Sequence, residues 1–86
     1  MRYYFHLDDG IANNDLDGVD LADLDAVKFE ASKLCGTMLA DAGHGFWANP
    51  DWRIRVTDET GVGILTVTLR GEVHGGVSLQ DAIKGQ

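Results

Sequence analysis

Two adjacent stretches of strict alternation constrain the fold more than anything else in the chain. Trp52, Ile54 and Val56 alternate with Arg53, Arg55 and Thr57, and Leu65, Val67 and Leu69 alternate with Thr66, Thr68 and Arg70. A period of two places each apolar set on one side of a pleated strand. Asp58-Glu59-Thr60-Gly61 between the runs is a turn signal, so the two read as a β-hairpin with one apolar and one arginine- and threonine-bearing face. The N-terminus repeats the pattern: Tyr3, Phe5 and Leu7 alternate with Arg2, Tyr4 and His6 until Asp9-Gly10 ends the strand.

Between these β segments the period changes. Leu24, Val27, Ala31, Leu34, Cys35, Met38 and Leu39 recur at spacings of three and four over about Asp23 to Ala42, the signature of a helix with one apolar face. Asp20 or Asp23 suits its N-cap, and Gly43 suits its C-terminal closure. Interior Gly36 disfavours the helix, and its presence suggests a close approach of helix to sheet. Segment 11–21 reads either as a long loop or as a short return strand, and His44 to Asp51 reads as a loop.

The expected architecture is α+β: a three- or four-stranded antiparallel sheet in the order β-(β)-α-β-β, with one long helix packed on one face. The expected core is Phe5, Leu7, Leu24, Val27, Leu34, Met38, Trp52, Ile54, Val56, Leu65, Val67 and Leu69. With 86 residues there is room for one domain, read as 1–70, followed by a glycine-rich tail, 71–86, that is frayed unless a partner orders it.

Arg2-Tyr3-Tyr4-Phe5-His6 with Asp9-Gly10, then Asp17-Gly18-Val19-Asp20-Leu21, then Trp52 and Val56-Thr57-Asp58-Glu59-Thr60-Gly61, resembles a family of small bacterial domains of unknown function. The resemblance spans roughly Arg2 to Leu69 and implies an intracellular bacterial protein, usually a stand-alone domain, with no activity to carry over. The extension after Arg70 departs from the shorter pattern of that family.

Charge narrows the function classes. The net charge is −7, and the seven aspartates between Asp8 and Asp25, with no Lys or Arg among them, equal it. Such a balance argues against polyanionic partners in general. No apolar run is long enough to span a membrane, and Met1 to His6 enters strand alternation without the features of an export signal. With Cys35 as the single cysteine, the expectation is a cytoplasmic protein.

Three chemical constellations are weighed and set aside. Asn13-x-Asp15-x-Asp17-Gly18 matches the opening of a calcium loop, but Leu24 stands where the bidentate Glu belongs and Asp20 where an apolar residue belongs, so turn and cap aspartates are expected. Cys35 falls among core positions, where a thiol is inert. His44 and His74 lack companions at zinc spacing. Neither a metal, a cofactor nor catalysis is expected.

What remains is geometric. The four arginines, Arg2, Arg53, Arg55 and Arg70, are out of phase with the core, and so share the uncovered sheet face with Tyr4, His6, Thr66 and Thr68. That surface suits a protein contact, including the acidic segment of a second copy in a homodimer, or else a phosphorylated ligand or single-stranded nucleic acid stacked on Tyr4. The plain alternative is arginine stems blanketing an open sheet. The favoured reading is a non-catalytic interaction or regulatory module that self-associates through this face or an exposed strand edge, with nucleic-acid or phosphate binding as runner-up.

Overall fold

The computed structural model describes residues 1–74. Alternation produces three main strands, β1 (Arg2–Asp8), β4 (Asp51–Asp58) and β5 (Gly63–Arg70), paired antiparallel with β4 in the middle. Segment 11–21, undecided between loop and strand, forms two two-residue strands, β2 (Ala12–Asn13) and β3 (Val19–Asp20), both antiparallel to β1. They are short because single apolar residues among turn formers can hold only a few ladder bonds. Among the described residues the sheet therefore has five strands, with β2 and β3 sharing the outer edge of β1 and β5 forming the opposite edge.

The register explains the two faces. Phe5, Val56 and Leu65 are cross-strand neighbours, as are Leu7, Ile54 and Val67, so the apolar sets of three strands coincide. Helix α1 (Leu24–Ala42) covers that face with Val27, Ala31 and Cys35, all buried. Val27, Ile54 and Val56 are at most 1% exposed, each burial contributing roughly 1.5–3 kcal/mol. The core is thin, because most other expected members, including Phe5, Leu34, Met38, Leu65 and Leu69, are only partly buried against it. Leu24 is a correction. It is 48% exposed at the first helical position, so the buried face begins one turn later, at Val27.

The helix ends follow local chemistry. The Asp23 carboxylate accepts the Ala26 N–H at 2.9 Å, and Gly43 closes the C-terminus with φ of 52° while its N–H donates to Leu39. Beyond it, 43–48 is a 3-10 helix, Gly43–Ala48, rather than plain loop. Tertiary packing drives it: buried Phe46 meets Trp52 edge-to-face at 5.0 Å and Trp47 at 5.5 Å. The tail read as 71–86 lies outside the described residues from 75 onward.

Gly36 is the second correction. It lies on the exposed side of α1, and a Cβ built there would have no neighbour within 4 Å, so no close approach to the sheet requires it. Gly36→Ala is expected to raise stability by about 0.5–1 kcal/mol, seen as a higher urea midpoint with an unchanged slope.

Candidate interaction face

The side of the sheet away from α1 is built outward from β4. Arg53 and Arg55 stand two residues apart and are exposed; Arg53 lies between Asp8 and Thr68, and Arg55 between His6 and Thr66. With Asn14 and Ala12 from the acidic segment, these side chains border a shallow groove of about 510 Å³. Among the described residues neither guanidinium has a carboxylate within 4.0 Å. Asp8, next to Arg53 in register, accepts the Gly10 N–H at 3.1 Å instead, closing its own turn.

The other expected members of the face divide. Arg2 donates to the Asp17 carbonyl at 2.7 Å and to the Asp20 carboxylate at 3.2 Å, so the acidic segment occupies it. Arg70 sits at the strand end, 3.7 Å from Glu72. Thr66 and Thr68 are exposed beside the arginine pair, whereas Tyr4 and His6 are half-buried. The expectation of a face bare along its whole length is corrected, because turn 15–18 leans over its β1 edge. Gly18, at φ 70°, lies so close that a Cβ would come within 2.8 Å of Arg2 Cγ and Tyr4 Cε2.

Asp15 holds that turn in place. Its carboxylate accepts N–H bonds from Phe5 at 3.1 Å, Asp17 at 3.0 Å and Gly18 at 3.1 Å. The Phe5 bond fills the gap between β2 and β3 on the edge of β1, where no ladder partner stands. Its lone pairs serve backbone amides, as expected of turn aspartates. Burial pushes the Asp15 carboxyl up, but the bonds from the Gly18, Phe5 and Asp17 amides outweigh it and hold the group below its ordinary value. The Asp15 N–H in turn donates to His6 Nδ1 at 3.1 Å. Nδ1 must therefore be bare, which leaves the hydrogen of the neutral ring on Nε2, donated to buried Thr57 Oγ1 at 2.9 Å. Sequence reasoning missed the Asp15–His6–Thr57 chain. Asp15-x-Asp17-Gly18 signalled a turn, but nothing local names the strand residues it would grip.

Cys35 is 7% exposed, and burial pushes its thiol up, away from the reactive thiolate. Among the described residues no three His, Cys, Asp or Glu side chains converge as metal ligands, and no helix is long and apolar enough to cross a membrane.

Two outcomes are expected of this arrangement. Because the folded Asp15 carboxyl titrates below its unfolded counterpart, the stability it adds is complete above the ordinary carboxylate pKa of about 3.9 and is lost as pH falls through the lower folded value. Asp15→Ala should cost about 2 kcal/mol at pH 7 in urea unfolding, with the difference from the parent shrinking below about pH 4. Nitrogen-15 spectra of the neutral His6 ring should show the Nε2–H tautomer, and the Nδ1–H tautomer would contradict the hydrogen-bond chain.

Comparison with known proteins supports the resemblance to a family of domains of unknown function. No curated protein and no solved structure matches the chain. A family model described as a domain of unknown function, DUF6894, matches residues 2–70, from the first residue of β1 to the last of β5. The match encloses every strand and helix among the described residues, and the chain belongs to the DUF6894 family.

Proposed function

We propose that this protein is a non-catalytic interaction module that self-associates and uses the Arg53/Arg55 face to hold a carboxylate-rich protein segment. The observation that carries the reading is two exposed guanidiniums, side by side on the central strand of an acidic protein, without an acidic partner among the described residues. Guanidinium binds carboxylate through paired, charge-assisted hydrogen bonds, and fixed spacing on a strand makes two of them a template for an extended acidic chain. The flanking Thr66 and Thr68 hydroxyls add neutral hydrogen-bonding groups to the same groove. Stacking of nucleic-acid bases finds less support, since Tyr4, the aromatic residue of that face, lies against Gly18 under the acidic turn. The single buried cysteine suits a reducing compartment, and we place the protein in the cytoplasm on that ground.

The test uses the whole chain with two probes, polyglutamate and a single-stranded oligonucleotide, at low and high salt. Polyglutamate should bind at low salt and weaken as salt rises, and the double variant Arg53→Ala/Arg55→Ala should bind it at least about tenfold more weakly. Tighter binding of the oligonucleotide through the same arginines would replace the protein-segment reading with the nucleic-acid one, and failure of both probes to bind at low salt would reject the face as a contact surface.

A further inference from the structure

The two edges of the sheet are treated differently. The outer edge of β1 is closed along its length by β2 at Leu7 and Asp8, by β3 at Arg2 and Tyr3, and by the Asp15 carboxylate on the Phe5 amide between them. At the opposite edge, β5 pairs with β4 on one side, and among the described residues its other side has no strand partner. Exposed edges are normally blunted by lysine, proline, an inward charge or a bulge. Within 64–69, Ile-Leu-Thr-Val-Thr-Leu, β5 carries neither lysine nor proline nor any charge, and the register irregularity sits back at Val56/Thr57 near the hairpin turn.

We infer that β5 is the self-association edge, pairing antiparallel with β5 of a second copy about a two-fold axis at Val67. The inference rests on the self-association reading above and gives it a surface and a register. The occupant is a second copy because β5 is complementary to itself. Centring on Val67 sets Leu65 against Leu69 and Thr66 against Thr68 of the other chain, so each side chain stays on its own face. No like charges meet, since Arg70 falls opposite Ile64. Leu65, Val67 and Leu69, now only partly buried along the rim of the core, gain cover from their counterparts. A two-fold axis perpendicular to the sheet keeps both Arg53/Arg55 pairs on one side of a continuous ten-stranded sheet, two copies of five strands. The two β4 strands then lie three strand spacings apart, about 14 Å, and the dimer offers a carboxylate-rich segment two arginine pairs rather than one.

Light scattering on the full chain across a concentration series should show a monomer–dimer equilibrium. Thr66→Lys with Thr68→Lys puts like charges opposite each other at both symmetric positions and should weaken the dimer at least about tenfold. Thr66→Glu with Thr68→Glu should weaken it less, because Arg55 and Arg53 of the same chain stand opposite those positions, and mixing the Lys and Glu double variants should restore pairing, which also shows that both still fold. A chain that stays monomeric up to millimolar concentration overturns the inference, all the more plainly if β5 amides are then protected from exchange by residues 75–86. A dimer indifferent to the Lys pair but abolished by Arg53→Ala/Arg55→Ala overturns it too, while leaving self-association through the arginine face intact.

Discussion

Everything about this molecule depends on the phase of one strand. β4 is hydrogen-bonded on both sides, so its side chains have no freedom to choose a face, and Trp52, Ile54 and Val56 must lie under α1 if Arg53 and Arg55 are to meet water. The reverse assignment would bury two guanidiniums beneath a helix whose packed positions are Val27, Ala31 and Cys35, with no acid there to pair them. Burial of the aliphatic set and exposure of the basic set are one constraint, satisfied by a single register.

The acidic segment gives that constraint its asymmetry. Seven aspartates in one stretch could have been a diffuse negative cloud, yet several have definite structural work. Asp23 caps α1, Asp20 holds Arg2, and Asp15 supplies the acceptor that β1 lacks between two short strands. The cost is that the β1 end of the open face is partly covered, with Tyr4 and His6 drawn beneath the turn. The benefit is a closed sheet edge without a long additional strand. Arg53 and Arg55 lie one strand further in, and Asp8, the aspartate beside Arg53 in register, accepts the Gly10 N–H instead, so among the described residues positive charge survives there on a molecule of net charge −7.

The hairpin, the helix and the segregation of arginines from core were legible in the sequence because period-two and period-3.6 patterns are local and each residue reports its own side. The Asp58 turn was legible for the same reason: Asp58 Oδ1 accepts the Thr60 and Val62 N–H groups and Gly61 takes φ 86°, chemistry written into five consecutive residues. What escaped was non-local. Phe46 looks like a loop residue amid glycines until Trp52 is beside it, and the grip of Asp15 on Phe5 and His6 joins residues nine and ten positions apart through a turn with no apolar period. Gly36 misled because an interior helical glycine is ambiguous between a packing need and a tolerated weakness, and only the space around it decides.

The central claim is that Arg53 and Arg55 are open to solvent while the other side of the same strand is sealed. Arginine Nε–H and tryptophan indole signals of the full chain, recorded with an inert soluble paramagnetic agent, test it most directly. The structure predicts strong attenuation for Arg53 and Arg55 and protection for Trp52, whose neighbours are Phe46 and the core. Protection of Arg53 and Arg55 to the same degree as Trp52 would mean that further chain covers the face, and the account of a bare arginine pair would be contradicted.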